Sequence, residues 1–155
     1  MTAVNGQLLL HVIEAKLERD TSTFGTMDPY VTMKYRHQDF KTDECTDGGV
    51  HPKWEAIFDV DVKYVGDDLE LEVYTNNTFT KDSSIGKAVV KLSGMCVYGG
   101  LDEWWAIQHK GVTAGNIHLK GEWIPVDAPK EEEEKEEKAE EAVRPAPAAP
   151  QQAPY

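Results

Sequence analysis

Carboxylates are the reactive groups this sequence offers in quantity. Its 28 Asp and Glu stand against 16 Lys and Arg, a formal net charge of −12. Carboxylate oxygens gathered in one place suit a hard divalent cation such as Ca²⁺, which takes six to eight oxygen ligands. They do not by themselves make a catalyst. His11, His51, His109 and His118 are scattered without metal or triad spacing, and Cys45 and Cys96 have no metal-ligand spacing. No Ser, Cys or His arrangement pairs a nucleophile with a base, so a non-catalytic protein is expected. The acidic balance argues against nucleic acid, whose phosphates need clustered Lys and Arg. It argues equally against purely electrostatic docking on anionic lipid.

The elements that must position these groups are strands. Apolar and polar residues alternate through 7–14, 30–37, 39–44, 54–62, 69–74, 84–92, 104–109 and 116–123. Asp47-Gly48-Gly49, Gly66-Asp67-Asp68, Gly99-Gly100 and Lys110-Gly111 supply turns between them. Eight short strands without a helical period predict an all-β antiparallel sandwich. The length of 155 residues, 40% hydrophobic, suits one domain with one core, assigned to 1–128. Residues 129–155 change regime. Lys130 opens KEEEEKEEKAEEAVR, whose Glu131–Lys135 and Glu134–Lys138 pairs favour a helix that has no apolar face to bury. From Arg144 the chain is rich in Pro and Ala, so the tail is expected to be acidic, partly helical or disordered, and then extended.

No apolar signal region follows Met1 and no run is long enough to span a bilayer. With free cysteines this predicts a reducing cytoplasmic setting, with peripheral membrane or cytoskeletal association allowed. The sequon Asn76-Asn77-Thr78 would go unused there. Single residues can be read physically too. Pro29 fixes φ at a strand entrance, and Asp28 before it is pushed to extended backbone, aiming its carboxylate at the loop end. Pro52 straightens the entry to the strand on which Trp54 and Phe58 share a core-facing side. Trp104 and Trp105 are adjacent and cannot both face the core, so one should be buried and the other at an edge or under a loop.

FGTMDPYV at 24–31 resembles the C2-domain signature in which Gly-x-x-Asp-Pro-Tyr-Val opens the second strand. HPKWEAIFDV at 51–60 resembles that family's Pro-x-Trp-x-x-x-Phe strand, and LELEVY at 69–74 the strand before its third loop. Ser84-Ile85-Gly86 and GNIHLKGEW fit the segments that follow, so the likeness runs over about residues 6–123. The absence of a strand signal before Gln7, and its presence at 116–123, resembles the family's type II strand order. Small single-C2 proteins of plants and protists are similar in their first loop. The resemblance implies an eight-stranded C2 sandwich whose loops gather at one end.

The resemblance also implies a ligand set for Ca²⁺, and the residues depart from it. Asp28 falls on one expected acidic position, Asp20 and Asp82 lie out of register, and Thr75 and Asn77 stand where carboxylates are expected. Thr and Asn offer oxygen without charge, so Ca²⁺ binding should be weak at most and no cofactor is required. Asp28 is then read as a loop organiser that caps backbone N–H groups. Phe24, Met27 and Phe79 fall in the first and third loops, either as apolar tips for a bilayer or partner groove, or as plugs beneath the loops. Lys34, Arg36 and Lys41, with His37, would form the concave basic patch some members carry, although Asp39, Asp43 and Glu44 are close by. The expected function is a binding module or adaptor for protein partners or membrane phospholipid, with weak or no Ca²⁺ dependence. The alternatives are a Ca²⁺-dependent phospholipid-binding protein and a structural subunit of a larger, for example cytoskeletal, assembly.

Overall fold

The computed structural model describes residues 4–22 and 25–126. The tail expectation and Phe24 therefore lie outside the described residues. The elements are β1 (Gly6–Leu17), β2 (Pro29–Tyr35), β3 (Gln38–Lys41), β4 (Lys53–Val62), β5 (Asp68–Thr75), β6 (Ser83–Lys91), α1 (Leu92–Met95), β7 (Leu101–His109) and β8 (Val112–Pro125). Their order across the sheet is β3-β2-β5-β6-β7-β8-β1-β4. The first four strands form one layer and the last four the other, joined where Lys87 of β6 pairs with Gln108 of β7. This is the antiparallel sandwich that the alternation predicts, with the closing strand beside the opening one.

Period-two alternation builds the core. Leu8, Leu10 and Val12 from β1 meet Val31 and Met33 from β2, Leu69, Leu71 and Val73 from β5, and Ile117 and Leu119 from β8. Each such side chain taken out of water contributes about 1.5–3 kcal/mol. Trp54 and Phe58 pack against this cluster, with Phe58 edge-on to Phe40 at 5.6 Å between ring centroids. Gly86 has no room for a Cβ, which would stand 2.6 Å from Ile107 Cγ2 where the two layers join. One departure from expectation is α1, a single turn that places Leu92 and Met95, three residues apart, in the core. Among the described residues no helix is long and apolar enough to cross a membrane.

The sheet ends at β3 and β4, and a side chain closes part of the gap between them. Gln38 Nε2 donates to the Asp61 carbonyl at 2.8 Å, and Gln38 Oε1 accepts the Asp61 N–H at 2.9 Å. Tyr35 OH lies beside the same seam and accepts the N–H groups of Lys63 and Tyr64. Cys96 is buried, and burial pushes its thiol up to about 12.

Trp104 and Trp105 divide as expected, Trp105 packing against the core and Trp104 lying 40% exposed on the outer face of β7. There Trp104 stacks on His118 of β8 at 4.8 Å, and Lys16 Nζ sits 5.0 Å from the Trp104 ring centre. His118 has a carboxylate at each ring nitrogen, Asp102 of β7 at Nε2 and Glu14 of β1 at Nδ1. A neutral imidazole can donate to only one of them, so the doubly protonated ring is the form that satisfies both. Burial alone would lower the His118 pKa, but the hydrogen bonds to Asp102 and Glu14 outweigh it and raise it above the usual histidine range. A raised folded-state pKa stabilises most below the unfolded value, about 6.5, and that contribution is lost as pH climbs through the folded value. Thermal melting from pH 5 to pH 9 should therefore show a fall in midpoint above about pH 6.5 that is absent in His118→Gln.

Candidate functional site

The segments between β1 and β2 and between β5 and β6 meet at one end of the sandwich because β2 and β5 are neighbours, with Pro29 opposite Thr75. The tripeptide Met27-Asp28-Pro29 fastens them. Asp28 N–H donates to Thr75 Oγ1 at 3.0 Å, and its carbonyl accepts the Asn76 N–H. Its carboxylate accepts the Asp47 N–H at 2.8 Å. Pro29, without an N–H, still offers a carbonyl that takes both Cys45 N–H and the Trp54 indole N–H. The Met27 carbonyl accepts the Gly49 N–H. Three separate stretches of chain are thereby held in one rim.

Asp20 and Asp82 are also used locally. Asp20 accepts the hydroxyl and the backbone N–H of Ser22, the side-chain bond first, and both hold its pKa below the usual carboxylate range. Asp82 accepts the Tyr30 hydroxyl and the Asn77 N–H, and these, with Lys41 nearby, lower its pKa. Burial, then the bond to Asp82, pushes the Tyr30 phenol well above its ordinary value. Asn77 donates through Nδ2 to the Lys81 carbonyl and Ser83 Oγ, bracing the turn from within.

As a cage for a divalent cation this donor set fits poorly. The rim brings Asp28 to Thr75 and Asn77 to Asp82, while the bonds of Asp20 run to Ser22 within its own loop. Thr75 is 2% exposed, with its hydroxyl occupied by the Asp28 N–H. Among the described residues no three His, Cys, Asp or Glu side chains converge in a way that could hold a metal ion.

The apolar tip residues separate. Phe79 is 96% exposed at the outer end of the β5–β6 loop. Met27 is not a tip: it is 1% exposed, belongs to the core, and takes the Thr21 N–H on its sulfur. The basic patch is also corrected. Lys34 and Lys41 line a groove over β2, β3, β5 and β6, but Arg36 does not join them. Arg36 has φ of 54° in the β2–β3 turn, which swings it to the opposite end, 2.8 Å from Asp67. The groove instead gains Lys87 and is balanced by Asp39, Glu70 and Glu72, so it is mixed in charge. Lys41 lies 4.7 Å above the Tyr30 ring, which itself stacks on Tyr74. Sequence reasoning passes over Tyr30 as part of a motif; its hydroxyl is the link that ties β2 to the third loop.

Comparison with known proteins agrees with this architecture. The C2 domain family model matches residues 6–107. Extended synaptotagmin-3 of Xenopus tropicalis is 32% identical over 135 residues, which is 83% of this chain and 15% of that protein. The chain thus spans only a small part of that relative. Elicitor-responsive protein 1 of Oryza sativa subsp. japonica is 26% identical over 75% of this chain and 79% of its own length. Among solved structures, the calcium-bound pair of C2 domains from Extended-Synaptotagmin 2 superposes with a TM-score of 0.65 at 26% identity, over 81% of this chain and 48% of that one.

The Tyr30–Asp82 link makes a measurable contribution. Tyr30→Phe should cost about 1.5–3 kcal/mol in urea unfolding at pH 7, the usual worth of a hydrogen bond to a charged group. A depressed folded-state pKa stabilises above the unfolded value, about 3.9, and the contribution is lost as pH falls through the folded one. The difference between Tyr30→Phe and the native chain should therefore shrink when the unfolding is repeated near pH 3.

Proposed function

The chain belongs to the C2 domain family, and on that premise we propose that it is a non-catalytic binding module that docks on phospholipid membranes or protein partners with little or no dependence on Ca²⁺. The observation that carries this reading is Phe79, a large apolar side chain 96% exposed at the loop rim. Around it, the carboxylates a cation would use are bonded to the chain's own N–H and O–H groups. A rim of this kind interacts through apolar insertion. The charge balance of the groove lined by Lys34, Lys41 and Lys87 with Asp39, Glu70 and Glu72 favours the same view, because it offers an anionic headgroup no net attraction. In this reading the protein is cytoplasmic and peripheral to its membrane or assembly. Residues 1–128 form the module, and the acidic, proline-rich 129–155 segment gives reach or a docking sequence for a second protein.

A second reading, Ca²⁺-dependent phospholipid binding through Asp20, Asp28 and Asp82, is favoured by the likeness to the calcium-bound Extended-Synaptotagmin 2 domains. Co-sedimentation of the full chain with phosphatidylcholine–phosphatidylserine vesicles, in millimolar Ca²⁺ and in chelator, separates the two. Equal pelleting in both conditions is expected, and Phe79→Asp should weaken it by on the order of tenfold, since burying a Phe is worth about 1.5–3 kcal/mol. Pelleting that requires Ca²⁺ would establish the second reading.

A further inference from the structure

β4 is the last strand of the sheet, and no strand among the described residues lies beyond it. Its open side can be identified from Asp61, whose N–H and carbonyl both bond the Gln38 side chain and so point away from β1. Backbone groups alternate in direction along a strand. The N–H and carbonyl groups of Ile57 and Asp59 therefore point the same way as those of Asp61. Gln38 occupies only the Asp61 end, and at the other end the loop after β3 comes in at Lys53, whose N–H meets Cys45 Sγ. Between them Ile57 and Asp59 leave their outward backbone groups open, while Glu55, with φ of 49°, stands at the bulge where the β1–β4 register shifts.

The side chains along this edge define what could pair with it. Ile57 is 60% exposed, Glu55 and Asp59 flank it in the open, and Asp61 follows. An antiparallel pairing of two copies about Ile57 would bring the Glu55 end of one copy up to Asp59 of the other, and like charges gathered in this way are destabilising. In the chain's own sequence, 130–141 carries eight Glu against three Lys and 145–155 has no Lys or Arg, so neither stretch has the charge this edge asks for. A strand of opposite charge meets neither obstacle.

We propose that the β4 edge, from Glu55 to Asp59, is a docking site for an extended segment of another protein that carries basic residues on either side of an apolar one. Backbone hydrogen bonds to Ile57 and Asp59 supply the pairing, one Lys or Arg lies across from Asp59, and the other, at the bulged end, reaches the exposed Glu55 carboxylate. The site lies along the side of the sandwich and does not depend on how the loop rim binds.

The probe is a capped synthetic peptide with the core Lys-Thr-Val-Thr-Lys, titrated into the full chain while backbone amide resonances are followed. Shifts centred on Ile57 and Asp59 are expected, with no binding by the same peptide bearing Glu for Lys. Asp59→Lys should weaken binding by on the order of tenfold. Ile57→Pro removes only an outward N–H and should abolish binding, with thermal melting confirming that the variant folds. Failure of the basic peptide to bind, shifts centred away from β4, equal binding by the acidic peptide, or an unchanged affinity in a folded Asp59→Lys would each overturn the proposal. None of these results bears on vesicle binding through Phe79.

Discussion

The rim of this sandwich is held by a short piece of main chain that bonds in several directions at once. Met27, Asp28 and Pro29 offer three carbonyls, one N–H and one carboxylate, and these reach Gly49, Asn76, Cys45, Trp54, Thr75 and Asp47. Proline matters twice here. It fixes the backbone at the strand entrance, and its missing N–H falls where no ladder bond is demanded of it. Without this junction the loop after β3 would lose its main-chain anchors at the rim, and Trp54 would lose its indole acceptor at the mouth of the core.

The same economy decides what the rim can bind. An oxygen that already accepts an N–H or O–H must give up that bond before it can face a cation, so each locally used carboxylate carries an added cost for metal binding. Asp82 is the clearest case, because releasing it would also strip the Tyr30 hydroxyl of its acceptor. An apolar side chain such as Phe79 has no competing bond to break, and it stands exposed at this end of the molecule.

Much of this was legible in the sequence, and the reasons are local. The period of two marks the strands that become β1, β5 and β8, because alternation is a property of neighbouring positions. The Asp-Pro step placed a strand entrance because proline restricts the residue before it. What stayed hidden needed knowledge of the third dimension. Arg36 and Lys34 share a strand parity, yet a positive φ at Arg36 turns the chain and sends its guanidinium to Asp67. Met27 stands beside polar loop residues in sequence but under them in space. His118 draws its two carboxylates from strands 104 and 16 residues away, a pairing no spacing rule could have indicated.

The place of β8 has a consequence for how the chain comes into being. β1 lies between β8 and β4, and Glu18 N–H already bonds the carbonyl of Ala114, so the opening strand is finished by the closing one. During translation, at roughly 5–20 residues per second, β4 emerges early, whereas β8 follows only after β5, β6 and β7. For a matter of seconds the nascent chain holds Leu8, Leu10 and Val12 with one flank uncovered. The order in which the ribosome delivers strands thus sets how long that greasy seam is open to chaperones or to neighbouring chains.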